Sequence, residues 1–492
     1  MTAVTEPPAL THPPAVSGPQ ADDASSEPTS GRSVPRWLRW AVIGAILTVG
    51  LVIRYQFVDV TTMDYSNFIS RWYSTLDEQG FSAFKTRFAD YNYPYLYLLW
   101  MLTVTHIPSL IGAKALSVAF DVVLAFFAYR IVALRSPSFW IRALAFGLIF
   151  LLPSVIANSS YWGQADAIYS ACALGGVYFL LRSDPITRGN AIWACVFFGL
   201  AISFKLQAVF VVPILLWLLV RRAIPWYSLL AIPAVFVALE VPAIVAGAPV
   251  STALSVYLDQ TDSYKSLTLG AANLYQLIPI SGDVSWLAHL GIAAAATVIL
   301  AFLGWSVYKR PPVTRETILV VATASAVIVP FLLPSMHERY FYTAEILTVV
   351  MAFYLPMRYW IIPILVQAAA IGVYHSSLSG EQGHGGMPGQ GGGLRPQGDP
   401  GGATPPQGGQ GQAGWGHGAG GPGGQGGQGG QGGGPGGHSG GMPGSTSGYS
   451  SGRGDAVLSV YAAFMAAAAL GMIATVVSRL REAWPDRRPD TL

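Results

Sequence analysis

Apolar runs of about 17 to 24 residues recur along most of this chain, and short polar segments separate them. An apolar helix of about 20 residues crosses the roughly 30 Å of membrane hydrocarbon, and helices are the default there because backbone groups in lipid must pair internally. The pattern predicts an all-α, polytopic membrane protein with about twelve transmembrane helices. The predicted spans are 37–57, 113–132, 139–157, 165–182, 189–205, 207–220, 225–246, 285–308, 316–334, 341–356, 359–376 and 456–478.

Two long segments do not fit the apolar pattern. Residues 1–36 are rich in Pro, Ser, Ala and acidic side chains, and residues 377–455 are dominated by Gly with Gln, Pro, Ser and His. Such compositions cannot bury enough apolar surface to fold alone. We predict, in order, a disordered cytoplasmic tail (1–36), a transmembrane domain (37–376), a disordered extracytoplasmic loop (377–455), a last span (456–478) and a basic cytoplasmic tail (479–492).

The basic residues predict how the helices are oriented. By the positive-inside rule, arginines and lysines beside the spans mark cytoplasmic loops. The segment from Pro94 to Ile107 spans only about 21 Å as a helix, and counting it as a crossing would place Arg130, Arg135 and Arg142 outside. We therefore expect it to be an interfacial helix within a large first extracytoplasmic loop. The protein is expected in the plasma (inner) membrane, with its unexplained polar residues on the extracytoplasmic side.

Composition narrows the possible functions. The chain is 52% hydrophobic and 11% charged, which is not the profile of a water-soluble enzyme. Its formal net charge of +3 and the absence of a basic patch argue against nucleic-acid binding. Cys172 and Cys195 lie inside apolar runs, where they are expected to be small buried side chains. No cofactor is predicted, and no metal either, although Asp59 and Asp64 leave a divalent ion open if they meet in space.

Several polar groups at the ends of predicted spans are candidates for chemistry, because such groups are costly near lipid. They are Asp64, the hexapeptide Tyr161–Asp166, Lys205 with Gln207, the loop 247–284 and the run from His337 to Tyr340. A carboxylate such as Asp64 can deprotonate a hydroxyl, and Lys205 and Arg339 suit a phosphate.

These stretches together resemble the GT-C glycosyltransferase superfamily, specifically the GPI-type mannosyltransferases and their bacterial relatives that use polyprenyl-phosphate sugars. The resemblance covers about residues 37–376. The stretches that carry it are Met63-Asp64-Tyr65, Tyr91-Asn92-Tyr93-Pro94-Tyr95, Lys114 through Asp121, Asn158 through Asp166, Phe204-Lys205-Leu206-Gln207, Ala272-Asn273-Leu274-Tyr275 and Met336-His337-Glu338-Arg339-Tyr340-Phe341.

The resemblance implies a membrane glycosyltransferase that transfers a hexose, with mannose favoured, from a polyprenyl-phosphate carrier. The acceptor would be an envelope lipid, glycan or protein, and the displacement would be inverting. Asp64 would act as catalytic base, while Lys205 and Arg339 would bind the donor phosphate. The implied substrate-binding residues are Tyr65, Trp162, Gln164, Asp166, Gln207, Asn273, His337, Glu338 and Tyr340.

Other interpretations of these residues remain open at this stage. Asp166 would alternatively cap the helix that begins at Ala167, Lys205 would extend to lipid headgroups, and Asp121 would pair with a polar group of the bundle. The run from His337 to Arg339 would only terminate a helix. Two other functions compete: a lipid-linked-sugar transporter or flippase, which would spread polar residues through the depth of the bilayer, and a non-catalytic membrane protein of envelope assembly.

Overall fold

A computed structural model describes residues 34–263, 265–379 and 448–482. Most of the predicted N-terminal tail, most of the Gly-rich loop and the end of the basic tail lie outside the described residues. The described chain is mostly helical. Its helices are α1 (Arg36–Tyr55), α2 (Ser70–Gln79), α3 (Tyr93–Val104), α4 (Ser109–Ala133), α5 (Phe139–Phe150), α6 (Pro153–Ile156), α7 (Asp166–Leu181), α8 (Arg188–Phe204), α9 (Pro213–Val220), α10 (Ala231–Ala246), α11 (Val250–Ser263), α12 (Ser285–Lys309), α13 (Arg315–Leu332), α14 (Tyr342–Ala352), α15 (Ile361–Leu378) and α16 (Ala456–Glu482).

Each predicted span coincides with a helix, but not every helix is long enough to cross a membrane alone. Among the described residues, seven helices meet the requirements of length and apolarity, and an eighth does if α5 and the bent segment after it form one span. Four other apolar helices are only 10–17 residues long. A multi-pass membrane protein is therefore supported, whereas the number of twelve crossings stays a prediction.

The bend after α5 has a local cause. Pro153 has no backbone N–H and its ring crowds the preceding turn, so the helix cannot continue straight through it. The axis bends by 43° between Phe139–Phe150 and Pro153–Trp162. At the break, the Phe150 carbonyl accepts a hydrogen bond of 2.8 Å from Arg54 Nη2. This bend directs the following segment, which carries the hexapeptide, toward the end of the bundle.

Arg54 also forms a buried ion pair with Asp121, which joins α1 to α4. Its Nη2 lies 2.9 Å from Asp121 Oδ2, and both residues are at most 4% exposed. The alternative in which Asp121 pairs with another polar group of the bundle is thus confirmed. Pairing is what makes two such charges tolerable among apolar helices.

The core of the bundle is built around α7. Nearly all of its residues are buried, because α4, α8, α13 and α14 surround it. A helix enclosed by protein can be shorter than one that faces lipid along its whole length. The first loop forms a second apolar cluster, in which α2 packs against α3, while α3 and the turn Gly80–Lys85 pack against α10. The short helix predicted between Pro94 and Ile107 is present as α3, and its interfacial position remains a prediction.

Basic side chains close the helix ends at one side of the bundle. Arg315 donates to the carbonyls of Leu134 and Leu181 at 3.2 and 2.9 Å, and Arg221 donates to those of Arg310 and Pro311, both at 3.1 Å. Positive charge at helix C-termini is favourable because carbonyls there lack backbone partners. We name this side the basic end. Since α7 runs from Asp166 to Leu181, Asp166 lies at the opposite end, about 24 Å away.

The loop after α10 contains structure that the sequence did not indicate. It includes α11 and a strand, β1 (Thr268–Leu269), which pairs in parallel with β2 (Met336–His337). Both ends of the predicted disordered loop also differ from expectation: α15 continues to Leu378 at its start, and residues 448–455 at its end make hydrogen bonds with the loop around 265–276.

Candidate active site

Two π-helical turns carry the central residues of the site. Asp64 immediately precedes the turn Tyr65–Ile69, and Trp162 ends the turn Ala157–Trp162. Gly163 follows with φ +76, and a side chain at that position would contact Lys114. Such single π turns interrupt regular helices and are frequent at functional sites. Here they bring the first loop and the hexapeptide together at the end of the bundle opposite the basic end.

Asp64 is held by three donors on a single oxygen. Its Oδ2 accepts hydrogen bonds from Gln164 Nε2 at 2.6 Å, Trp162 Nε1 at 3.0 Å and Arg339 Nη1 at 3.1 Å. The Asp64 side chain is 28% exposed. The donors fix the orientation of the carboxylate, and among the described residues they all bind Oδ2 and none binds Oδ1; a positioned carboxylate with a free oxygen can act as a general base.

Asp166 forms the buried half of the site. Its Oδ1 contacts Lys205 Nζ. Its Oδ2 accepts a hydrogen bond of 2.9 Å from Asn158 Nδ2, and Arg339 Nε lies 3.8 Å from the same oxygen. The alternative in which Asp166 caps a helix is wrong, because Asp166 is itself the first residue of α7 and no side-chain cap is formed there. The alternative in which Lys205 extends to lipid headgroups is also wrong, because its ammonium contacts Asp166 and the residue is only 8% exposed.

Arg339 connects the acidic groups. Besides Asp64 and Asp166, it approaches Glu338, whose Oε1 lies 3.9 Å from Arg339 Nη1. Burial works against the charge of Arg339, but the surrounding carboxylates raise the pKa of its guanidinium well above the ordinary value. The run from His337 to Arg339 does not terminate a helix, since α13 ends at Leu332 and His337 belongs to β2.

Glu338 is held ionised by its neighbours. Burial raises the pKa of its carboxyl, but the adjacent His337 ring, whose Nδ1 lies 3.6 Å from Glu338 Oε2, and the Arg339 guanidinium outweigh burial and lower the pKa to about 2. Ser377 Oγ also donates to Glu338 Oε1 at 3.2 Å. Glu338 therefore connects the segment that follows β2 to the end of α15.

A pH prediction follows for Glu338. Because the folded-state pKa, about 2, lies below the ordinary 4.5, the stabilisation is complete above pH 4.5 and disappears as the pH falls toward 2. We expect Glu338→Gln to lower the free energy of unfolding by about 1–3 kcal/mol at pH 7. Thermal unfolding in detergent between pH 7 and pH 3 should show the difference from wild type shrinking with acid. Glu78→Gln, at an exposed position on α2, serves as control, and a difference that grows below pH 4.5 would contradict the assignment.

Aromatic rings line the charged groups. Lys205 Nζ lies 5.2 Å from the centre of the Tyr91 ring, and Arg339 Cζ lies 5.3 Å from that of Trp162. Tyr374 packs edge-on against Trp162, with ring centres 5.6 Å apart. Cations over aromatic faces are stabilised by the ring quadrupole. The rings also restrict water around the ion pairs, which strengthens their electrostatics.

The structure brings together six of the predicted site residues by direct contact: Asp64, Trp162, Gln164, Asp166, Lys205 and Arg339. His337, Glu338 and Tyr340 adjoin them, with the His337 and Tyr340 rings 5.1 Å apart. The other three have different surroundings: Tyr65 hydrogen-bonds Ser109 at 2.7 Å, Asn273 donates to the carbonyls of Leu267 and Leu333, and Gln207 is buried, with no hydrogen-bond partner for its Oε1 among the described residues. Substrate binding by these three stays a prediction.

Some contributing residues had no assigned role at the level of sequence. Asn158 and Tyr374 are the clearest: the first donates to Asp166, and the second supports Trp162. Asn158 belongs to a stretch that carries the resemblance, whereas Tyr374 lies in an apolar helix among many aromatic residues and gives no signal by itself.

Lys205 retains donor capacity toward a ligand, because it uses one of its three N–H donors on Asp166. The Nε of Arg339 makes no hydrogen bond within the described residues, but it is buried. Within the same described ranges, no three His, Cys, Asp or Glu side chains lie close enough together to hold a metal ion.

The chain has a structural neighbour among the solved proteins. No protein-family model matches the sequence, and no curated protein does. The chain is similar to the crystal structure of ArnT from Cupriavidus metallidurans bound to undecaprenyl phosphate, with 16% sequence identity and a TM-score of 0.44. The match covers 68% of this chain and 64% of ArnT, less than two thirds of its length. A similarity this low transfers no residue role or activity.

Proposed function

We propose that this protein is an integral-membrane glycosyltransferase that moves a hexose from a polyprenyl-phosphate carrier to an acceptor hydroxyl. The observation that carries the proposal is the geometry of Asp64. Three donors hold its Oδ2; one of them is the cation Arg339, and Arg339 and Lys205 both approach Asp166. Transfer from a sugar phosphate needs a base for the acceptor hydroxyl and nearby cations that stabilise the leaving phosphate.

The reaction is an inverting displacement at the anomeric carbon. The acceptor hydroxyl oxygen attacks that carbon, Asp64 Oδ1 takes the hydroxyl proton, and the bond between the anomeric carbon and the phosphate oxygen breaks. The electron pair of that bond leaves with the polyprenyl phosphate, through an oxocarbenium-like state. A positioned base of this kind contributes about 10²- to 10⁴-fold to the rate.

The leaving phosphate is stabilised by Lys205 and Arg339. Both are anchored by carboxylates, Lys205 by Asp166 and Arg339 by Asp64, so little further ordering is required when the phosphate arrives. Preorganised donors are effective because they do not have to reorient as charge develops. The polyprenyl chain suits a site at the end of a bundle of apolar helices.

The site faces the extracytoplasmic side of the plasma membrane in this proposal. Its support is the arrangement of charge: Arg221, Arg310 and Arg315 meet at the end of the bundle opposite Asp166, and clustered arginines mark the cytoplasmic side. Labelling of a cysteine placed at Met63, a 65% exposed residue next to Asp64, from the outside of intact cells tests this orientation, and access only from the cytoplasm would overturn it.

Mannose is the proposed sugar, on the resemblance of the sequence stretches to GPI-type mannosyltransferases, and the acceptor is an envelope lipid, glycan or protein. The experiment is reconstitution of the purified protein with polyprenyl-phosphate mannose, the corresponding glucose donor and a panel of such acceptors. We expect a new glycosidic bond with at least one acceptor. Absence of transfer from every donor and acceptor would overturn the transferase and leave the flippase and the non-catalytic assembly function.

One observation favours a second candidate, a flippase for lipid-linked sugars. Polar groups continue below the site into the bundle: Tyr374 donates to buried Glu345 at 3.0 Å, and Ser154 donates to Gln367 at 2.9 Å. With the pair formed by Arg54 and Asp121, these groups lie at several depths of the bundle. Translocation of the labelled donor across liposomes without a new glycosidic bond would favour this function.

A further inference from the structure

The residues after the Gly-rich segment contact the strand that supports the site. We name residues 448–455 the strap. Ser450 N donates to Lys265 O and Leu267 N donates to Ser450 O, both at 2.9 Å. The two segments form a parallel β-bridge at Ser266 and Ser450, where the two serine hydroxyls lie 2.8 Å apart.

On its other side, the segment 265–270 contacts residues 335–337, which include β2. Ser335 N lies 3.1 Å from the carbonyl oxygens of Ser266 and Leu267. One residue later, Thr268 pairs with Met336 and Leu269 with His337. Three extended segments therefore lie side by side, joined by backbone hydrogen bonds: the strap, residues 265–270 and residues 335–337. The third segment leads directly into Glu338 and Arg339.

Side chains reinforce these layers. Gln276 is fully buried and joins both sides, because its Oε1 accepts 3.0 Å from Gly454 N and its Nε2 donates 3.2 Å to Thr268 Oγ1. Arg453 Nε donates to the Gln276 carbonyl at 2.9 Å. Asp455 then accepts from the first free amides of α16, those of Val457 and Leu458, which fixes where α16 begins.

The helix that follows the strap reaches the site by a second route. α16 packs along α15 and α13, and the Tyr461 ring occupies the space that a side chain at Gly372 would need. α15 in turn carries Tyr374 against Trp162 and Ser377 on Glu338. The C-terminal segment thus supports both the strand and the helix that hold the acidic and cationic groups.

We propose that the strap is a positioning element of the active site, which sets the location of Arg339 through β1 and β2. It makes no contact with the reacting atoms, and its effect is on how the site presents Arg339 to a phosphate. This inference deepens the proposed function and rests on it for the identity of the ligand, but the placement of β2 can be measured independently.

Gly452 supplies a sharp test of the strap. Its φ is +60, and an added Cβ would overlap the Thr268 carbonyl oxygen in β1. Gly282 is the matched control, because its φ is +89 and an added Cβ meets nothing within 4 Å. Gly452→Ala and Gly282→Ala carry comparable backbone strain, and only the first displaces β1.

The first measurement is amide hydrogen exchange of the peptide 333–342 in the full-length protein in nanodiscs. We expect exchange at least 10-fold faster in Gly452→Ala and unchanged in Gly282→Ala. The second is binding of undecaprenyl phosphate, expected to weaken about 10-fold in Gly452→Ala alone. Wild type that fails to bind would contradict the proposed donor, whereas binding and exchange that are equal in all three proteins would overturn the positioning role.

A crosslink provides a test that survives if Gly452→Ala fails to fold. The double variant Ser266→Cys and Ser450→Cys should form a disulfide on oxidation, since the two hydroxyls lie 2.8 Å apart. If the strap is a fixed support, the oxidised protein keeps undecaprenyl phosphate binding within twofold of the reduced protein. Failure to form the disulfide, or a loss of binding above 10-fold on oxidation, would overturn the inference.

Discussion

Replacing Asp64 by Asn is expected to reduce sugar transfer by about 10²- to 10⁴-fold while leaving the fold intact. The three donors from Trp162, Gln164 and Arg339 all require an acceptor at the position of Oδ2. They therefore orient the Asn carbonyl there and place its amide nitrogen where the basic Oδ1 stood. The variant keeps the shape of the site and loses the group that accepts the proton.

The measurement is the initial rate of transfer from polyprenyl-phosphate mannose in proteoliposomes, together with the thermal midpoint of unfolding. Asp77→Asn is the matched control, because Asp77 is an exposed carboxylate on α2 of the same loop. We expect its rate to stay within twofold of wild type. A rate for Asp64→Asn equal to that of the control would remove Asp64 from its role as base.

Replacing Lys205 by Met should strongly destabilise the protein. It leaves the Asp166 carboxylate, which is only 1% exposed, without its closest cation. Removing one partner of a buried pair typically costs about 3–5 kcal/mol. We expect the lower part of that range, since Asn158 still donates to Asp166 and Arg339 remains 3.8 Å away.

A double variant separates stability from ligand binding. Lys205→Met combined with Asp166→Asn should recover at least half of the lost stability, because no unpaired charge stays buried, but it should not recover undecaprenyl phosphate binding. Lys265→Met, at an exposed lysine, is the control for loss of a positive charge. Denaturant unfolding in detergent gives the free energies, and additive losses in the double variant would show that the two groups do not interact.

Helix positions followed closely from the sequence. The predicted spans 285–308 and 456–478 correspond to Ser285–Lys309 and Ala456–Glu482, because a long apolar run must pair its own backbone groups. The number of crossings did not follow as directly. α7 is short and enclosed by protein on nearly all sides, and hydropathy alone does not distinguish such a helix from one that faces lipid.

The sequence predicted that the candidate residues lie on the same side of the membrane, but it did not predict which of them contact each other. Asp64, Asp166, Lys205 and Arg339 were expected on one side of the membrane, and they do lie together at one end of the bundle. Their pairing was not predictable, since Asp64 and Arg339 are separated by 275 positions in the chain. The placement of Asn273 and Tyr65 away from the ion pairs likewise depends on how the loops fold back.

By itself, the sequence determined a helical membrane protein with a cluster of arginines at one end of its helices and the carboxylates and cations of the candidate site at the other. Those features follow from local physics, namely the cost of exposing backbone and charge to lipid. Only the tertiary structure decided which carboxylate meets which cation, that Asp166 pairs with Lys205 instead of capping α7, and that the strap supports the strand leading to Arg339. These are contacts between distant segments, and packing of the whole bundle selects them.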